Sequence, residues 1–216
     1  MSHCLELTVA GERVQALAEA ALYWPARQTL FVADLHLGKA ASFRASGIPV
    51  PGGTTAGNLA RLERALAATG AKRLVCLGDL LHARAGRAEL TIERVAAWRG
   101  QHPDLEWLLV RGNHDRHAGD PPPEWDVRCV DAPHVEGPFV LLHEPAESGE
   151  GYVLAGHVHP AVRVGRGKLA EALPCFLFGR RAALLPAFGE FTGTAVVRPR
   201  PGDRVIVLAD GELVPL

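Results

Sequence analysis

Five short apolar runs, each broken off by a polar residue, set the pattern of this chain. They are Leu30-Phe31-Val32-Ala33, Leu74-Val75-Cys76-Leu77, Trp107-Leu108-Leu109-Val110, Phe139-Val140-Leu141-Leu142 and Tyr152-Val153-Leu154-Ala155. Runs of this length are too short for a helix and read as strands buried on both faces. Upstream, Leu5, Leu7 and Val9 alternate with Glu6 and Thr8, which predicts a half-buried strand turning at Gly11-Glu12. Val14–Tyr23 fits a helix or a hairpin return strand, and the turn favours the strand. Gln28–Ala33 is the first central strand, and Asp34–Gly53 reads as a long irregular connection. A helix is expected over Thr54–Thr69, capped by Thr54 or Thr55, burying Leu59, Leu62 and Leu66 and stopped by Gly70. A second is expected over Ala88–Arg99, facing inward through Ile92, Val95 and Ala96 and stopped by Gly100.

After the strands Arg73–Leu77 and Leu105–Val110, residues 118–138 read as loop with one short strand, Val127–Val130. Ala182–Leu185, Thr194–Val197 and Val205–Leu208 come next as short strands between Gly and Pro turns. Strand–helix alternation followed by a series of strands predicts an α/β fold of two packed sheets with helices outside. No internal repeat or linker divides it, so residues 1–216 are taken as one domain.

The polar residues at the end of each apolar run change the picture. The first run leads into Asp34-Leu35-His36, the second into Gly78-Asp79, the third into Gly112-Asn113-His114-Asp115, the fourth into His143, and the fifth into Gly156-His157-Val158-His159. In open α/β sheets ligands collect at the carboxyl ends of strands, so these groups can converge on one point. Asp34 and His36, two apart at a strand end, are expected to point the same way and to hold one divalent cation. Asp79 has oxygens enough to bridge two cations, Asn113 offers an amide oxygen, and His143, His157 and His159 offer imidazoles. Oxygen and imidazole ligands without thiolate favour manganese, iron or zinc. Two cations about 3.5–4 Å apart can hold a hydroxide between them and clamp the oxygens of an in-line displacement at phosphorus. His114, next to Asn113, is placed to protonate the leaving oxygen. Asp115 is expected to form the turn or support a ligand.

Charge and composition narrow the setting. The net charge of −1 does not announce a nucleic-acid binder. Even so, Arg84, Arg87, Arg111, Arg116, Arg163, Arg166 and Lys168 lie beside the motifs and suit a phosphate-bearing substrate. Arg44, His82 and Arg84 are the candidate substrate contacts, with His82 otherwise either supporting the site from behind or lying on the loop surface. Lys39 is expected to cover the loop surface. His3, His102, His117 and His134 are expected to face solvent, and Trp24, Trp98, Trp107 and Trp125 to be packing residues. The cysteines, Cys4, Cys76, Cys129 and Cys175, form no CxxC pair and read as reduced thiols. With no membrane-spanning apolar stretch and no basic-then-apolar leader pattern, a cytoplasmic location is expected.

The series Asp-x-His, Gly-Asp, Gly-Asn-His-Asp, His and Gly-His-x-His resembles the calcineurin-like metallophosphoesterase superfamily over residues 28–160. The resemblance implies a four-layer α/β/β/α sandwich of two mixed sheets. It implies one metal held by Asp34, His36, Asp79 and His159, a second held by Asp79, Asn113, His143 and His157, and His114 as the catalytic histidine. Many phosphomonoesterases of the superfamily read Gly-Asp-x-x-Asp-Arg at the second motif. This chain reads Gly78-Asp79-Leu80-Leu81-His82-Ala83, which suits a diester better than a monoester gripped by arginine.

A narrower similarity rests on Asp34-Leu35-His36-Leu37-Gly38-Lys39, on Phe43-Arg44 with Ile48-Pro49-Val50-Pro51, and on Leu185-Pro186-Ala187-Phe188-Gly189 with Phe191-Thr192-Gly193. These segments resemble the bacterial DNA ligase-associated metallophosphoesterases. That implies a manganese-dependent DNA endonuclease acting in DNA repair on single-stranded or linear DNA, in functional association with a ligase, a helicase and an exonuclease-like protein. A phosphodiesterase for cyclic or dinucleotide substrates is the competing enzymatic reading, and a non-catalytic scaffold on the same fold is the third.

Overall fold

The computed structural model describes residues 3–50, 52–165, 167 and 170–216. Its first sheet runs in chain order: β1 (Cys4–Val9), β2 (Glu12–Leu17), β3 (Ala21–Trp24), β4 (Thr29–Val32), β5 (Arg73–Leu77), β6 (Glu106–Val110) and β7 (Arg128–Val130). The first four strands are antiparallel neighbours, and β4 to β7 are parallel. Between β1 and β2, Ala10 (φ 51°) and Gly11 (φ 84°) make a two-residue hairpin turn, with Val9 opposite Glu12. Val14–Tyr23 therefore holds parts of two strands rather than one.

The second sheet holds β8 (His134–Glu136), β9 (Phe139–Leu142), β10 (Tyr152–Ala155), β11 (Pro160–Val164), β12 (Glu171–Phe178), β13 (Ala182–Leu184), β14 (Ala195–Val196), β15 (Arg204–Ala209) and β16 (Glu212–Pro215). Its order is β14-β11-β12-β13-β10-β9-β8, with β15 and β16 joined through β12. β9, β10 and β13 are parallel, the others mainly antiparallel. Two mixed sheets with flanking helices agree with the expected α/β class.

The helices are α1 (Lys39–Ala45), α2 (Thr54–Thr69), α3 (Glu89–Gly100) and α4 (Asn113–Ala118). Leu59, Leu62 and Leu66 of α2 and Val95 and Trp98 of α3 pack on Leu30, Val32, Leu74, Cys76 and Trp107 of the first sheet. A second core between the sheets joins Trp24, Phe31, Val75 and Leu108 to Phe139, Leu141, Leu154, Phe176 and Ile206. Burying one such side chain contributes about 1.5–3 kcal/mol, so this double core holds the strand ends firmly. The tryptophans are packing residues, all buried. The outward-facing Val140, Val153, Cys175 and Val207 of the second sheet are buried as well, although no α-helix comes after α4 among the described residues.

Several local expectations are corrected. The connection after Asp34 contains α1. The first residue before α2 is Gly53 in the left-handed region, and neither Thr54 nor Thr55 caps it; Thr55 Oγ1 instead accepts the Gly38 N–H at 3.4 Å. Gly70 does end α2, again left-handed, but Gly100 is the last residue of α3 rather than its stop, and Gln101 follows as the C-cap. Strands β8, β11, β12 and β16 add to those the sequence predicts.

Candidate metal centre

The five apolar runs become β4, β5, β6, β9 and β10, and each delivers its polar residues just past its carboxyl end. The chain does not reach them in extended form. Asp34 (φ 55°), His36 (48°), Asp79 (52°), His157 (67°) and His159 (50°) all take the left-handed conformation. Such a backbone costs about 1–3 kcal/mol per residue and persists only where the surroundings hold it. The expectation that strand alternation aligns Asp34 with His36 is therefore replaced. Both are turned into the site by left-handed backbone while Leu35 between them is driven into the core.

The restraints are visible. On one side the N–H groups of Asp34, His36 and Leu37 donate to the carbonyls of Gly78 (3.2 Å), Asp79 (2.9 Å) and Leu80 (2.8 Å). On the other, Phe188 donates to Ala33 O (2.8 Å) and Gly189 to Asp34 O (3.1 Å). Buried Asn58 of α2 joins the two by donating to Leu35 O (2.9 Å) and accepting from the Glu190 N–H (3.0 Å). Sequence reasoning missed Asn58; its one signal was an amide between Leu59 and the buried face of α2. Close approach fixes two glycines. A Cβ on Gly78 would overlap the His143 ring, and one on Gly112 would overlap Asp79 Oδ1.

The side chains meet in three overlapping groups, Asp34–His36–His159, Asp34–Asp79–His143 and His36–His82–His114. Asp79 Oδ2 stands 3.9 Å from His36 Nε2 and 3.8 Å from His114 Nε2, while its Oδ1 stands 3.3 Å from His143 Nε2. Asn113 Oδ1 lies 2.9 Å and His157 Nδ1 3.1 Å from the same His143 Nε2. His159 Nε2 is 3.4 Å from Asp34 Oδ1. All seven candidate ligands are thus brought together, Asp34 0%, Asp79 2% and His143 2% exposed.

The backbone sets which nitrogen each ring presents. His143 Nδ1 meets Leu77 O (3.0 Å) and His159 Nδ1 meets Gly193 O (2.9 Å), so each carries its proton there and turns Nε2 into the site. Burial lowers the His36 pKa to about 2, outweighing the pull of Asp79, and keeps it a neutral ligand. Asp34 Oδ1 and His36 Nδ1 are buried without a hydrogen-bond partner. An unpartnered buried carboxylate oxygen is costly, and a cation would satisfy it. With two carboxylates, an amide oxygen and four imidazoles, the donor set fits a pair of divalent cations.

His114 borders this group, half-buried. Its Nδ1 meets the His82 carbonyl at 2.7 Å, which leaves Nε2 facing Asp79. His82 is packed, not a loop-surface residue: its ring stacks on His114 (5.0 Å, 22°) and on Phe43 (5.9 Å, 13°). Burial, with Lys39 and His114 nearby, pushes its pKa down to about 4. Phe43 in turn meets Phe191 edge-on, so the two sub-family segments touch beside the site. Lys39 is half-buried, its pKa lowered by burial against the pull of Asp34 and Asp79. Asp115 supports the turn, accepting from Gly112 N–H (2.9 Å) and Leu81 N–H (3.1 Å).

The remaining candidates lie further out. Arg44 reaches towards Val50 O (3.5 Å) and lines a separate cavity of about 260 Å³ with Thr54 and Arg94, which none of the candidate ligands lines. Arg84 is exposed in the 3-10 turn Arg84–Gly86. Arg87 binds the carbonyls of Gly119 and Asp120, and Arg111 pairs with Asp120 and Asp131. Pro51, Arg166 and Lys168 lie outside the described residues. His3 and His117 are exposed, but His102 and His134 are half-buried against Glu63 and Glu136.

Comparison with known proteins decides the family: the calcineurin-like phosphoesterase family matches residues 28–160. The chain belongs to the calcineurin-like phosphoesterases. It is thereby a phosphoester hydrolase of a family that uses divalent metals. This phosphoesterase is similar along its whole length to a crystal structure of the Pseudomonas putida nuclease MPE, at 45% identity and a TM-score of 0.87, covering 99% of this chain and 100% of that one. A phosphoesterase from E. coli, Yfce, aligns at 18% identity and a TM-score of 0.34, over 84% of this chain and 88% of that one. None of the curated proteins compared matches the chain. The cysteines are free, and no helix among the described residues is long and apolar enough to cross a membrane.

Proposed function

We propose that this phosphoesterase is a two-metal phosphodiesterase that cuts DNA, residues 1–216 acting as one catalytic domain. Asp34, His36, Asp79 and His159 would hold one cation; Asp79, Asn113, His143 and His157 would hold the other. The observation that carries this reading is Asp79, whose Oδ2 faces His36 and whose Oδ1 faces His143, so that one carboxylate faces a ligand of each proposed cation. Two divalent cations, when bound, lower the pKa of water and neutralise charge on the phosphoryl oxygens.

The chain's own residues do the rest. The carbonyl of His82 fixes the His114 tautomer, and the stacked His82 ring limits its tilt, so Nε2 is held ready to give a proton to the leaving oxygen. His82 also bears on the substrate. It is neutral at pH 7 and stands with Ala83 where the monoesterases of this superfamily carry Asp-Arg. Neither His82 nor Ala83 supplies the charge that an arginine at this position would bring to a dianionic monoester, which favours a diester. The likeness to the nuclease MPE supports DNA as that diester. Arg84 is the nearer of the two arginines in sequence to this corner and is the first candidate for a phosphate contact; Arg44 contacts substrate only beyond it. Manganese as the cation, a cytoplasmic location, and a role in DNA repair alongside a ligase, a helicase and an exonuclease-like protein rest on the sub-family segments.

Manganese-loaded protein is expected to nick circular single-stranded DNA and to hydrolyse a generic aryl phosphodiester. His114→Ala should keep its metal and lose about 10²–10⁴-fold in rate, whereas Asp79→Ala should lose metal and activity together. Activity surviving both changes would sink the assignment. Brisk cleavage of a cyclic nucleotide without nicking would turn it towards a small-molecule substrate.

A further inference from the structure

The outer side of the second sheet carries a groove of about 640 Å³ that none of the candidate ligands lines. Two turns supply its walls: Arg180 and Arg181 lie between β12 and β13, and Arg198 and Arg200 between β14 and β15. All four are exposed, and none forms an ion pair among the described residues. Glu147 and Asp203 also line the groove, but Asp203 already accepts the Arg200 backbone N–H at 2.7 Å and serves its own turn. In a chain of net charge −1, four guanidiniums against two carboxylates is a local positive excess. The cavity under Arg99 and Arg128 differs, because Asp104, Glu106 and Asp126 offset its arginines.

The floor of the groove is apolar, made by half-buried Leu177 and Leu184. Its near end adjoins the metal centre in the chain. Pro145 lies two residues after His143, and Leu184 pairs with Ala155, just ahead of Gly156-His157.

Guanidiniums bind phosphates through a fork of donors, and an apolar floor between them, here of leucines rather than the aromatic rings on which bases stack, gives unpaired bases apolar surface to pack against. We propose that this groove binds a single nucleic-acid strand, holding the part of the substrate that flanks the cleaved phosphodiester; the inference rests on the nuclease reading above. A duplex keeps its bases stacked inside and gains nothing from Leu177 and Leu184.

The test uses a fluorescent 20-nucleotide oligothymidylate and the full chain loaded with manganese under non-cleaving conditions. The variant Arg180→Ala/Arg181→Ala/Arg198→Ala/Arg200→Ala should bind it about tenfold or more weakly near 0.1 M salt. The slope of log affinity against log salt should become shallower by about 3, near 0.7 for each phosphate no longer neutralised by an arginine. Hydrolysis of the aryl phosphodiester should stay at the parent rate, which also shows the variant is folded. Unchanged affinity and slope would overturn the proposal, as would an equal loss of binding to a duplex of the same length. A change in self-association with no change in oligonucleotide binding would assign the groove to a second copy of the chain instead. A parent protein that binds through these arginines but hydrolyses no diester would remove the nuclease reading and leave the groove.

Discussion

In the metal-free protein the His143 ring lies between two acceptors, Leu77 O at 3.0 Å from Nδ1 and Asp79 Oδ1 at 3.3 Å from Nε2. Burial disfavours its charged form, yet the Asp79 carboxylate and the Leu77 carbonyl outweigh burial and raise its pKa from 6.5 to about 9. Its contribution to metal-free stability is therefore complete below pH 6.5 and is lost as pH rises through about 9. A cation needs Nε2 bare, so binding must displace that proton. His159 is shifted the same way, burial being outweighed by Asp34. Metal affinity is accordingly expected to rise steeply between pH 7 and 8.5, by about tenfold per unit for each proton displaced. Calorimetric titration with manganese in buffers of different ionisation enthalpy would count the protons; pH-independent binding without proton release would contradict the assignment of His143. At this scale the eight motif residues were legible because each interrupts an apolar run. The positive φ angles were not, since a left-handed Asp or His is imposed by tertiary hydrogen bonds and leaves no local pattern. For His82 the sequence left support of the site and loop surface both open, because it meets His114 through a backbone carbonyl and a stacked ring.

Strand, turn and helix share the work around Gly112. β6 ends at Val110, and α4 starts at Asn113 with Asp115 bonded back to the Gly112 N–H. The turn presses so closely on Asp79 that a Cβ at Gly112 would overlap Oδ1 and come within 2.6 Å of the Asp79 nitrogen. Gly112→Ala must therefore move either the bridging carboxylate or the base of α4. A shift near 1 Å at a reacting centre costs about 10²-fold in rate, and overpacking costs about 1–3 kcal/mol. Gly100→Ala, where a Cβ meets nothing within 4 Å in α3, should keep full activity and gain up to about 1 kcal/mol. Denaturant unfolding with aryl phosphodiester kinetics on both variants distinguishes them; equal behaviour would show that the packing at Gly112 is not critical. Element boundaries were well legible where an apolar run or helical stripe was continuous, as in β5 and α2. They were poorly legible where it was broken. Pro174 interrupts β12, Pro160 opens β11, and α1 is a short helix without an apolar stripe or a capping side chain.

The candidate metal centre spans both layers of the molecule. Asp34, His36, Asp79 and Asn113 come from the first sheet, and His143, His157 and His159 from the second. The core that holds the sheets together lies below it, so cations bound at this point would tie the top of one sheet to the top of the other. Ligand binding to the native state alone stabilises by about 2.7 kcal/mol per site at a concentration one hundred times the dissociation constant. For a chain of this size each kcal/mol raises the melting temperature by about 2–4 °C, so saturating one site should raise it by about 5–10 °C. Chelation should reverse the rise, and amide exchange should slow at the carboxyl ends of β4 and β5 in the first sheet and of β9 and β10 in the second. His157→Ala removes one second-sheet ligand while leaving both cores intact, and should lose part of the metal-induced shift without lowering the metal-free melting temperature by more than about 1 kcal/mol equivalent. If manganese protects only the first sheet, or gives the same shift to this variant as to the parent, then the late Gly-His-Val-His turn does not hold a cation and the two sheets are joined by packing alone.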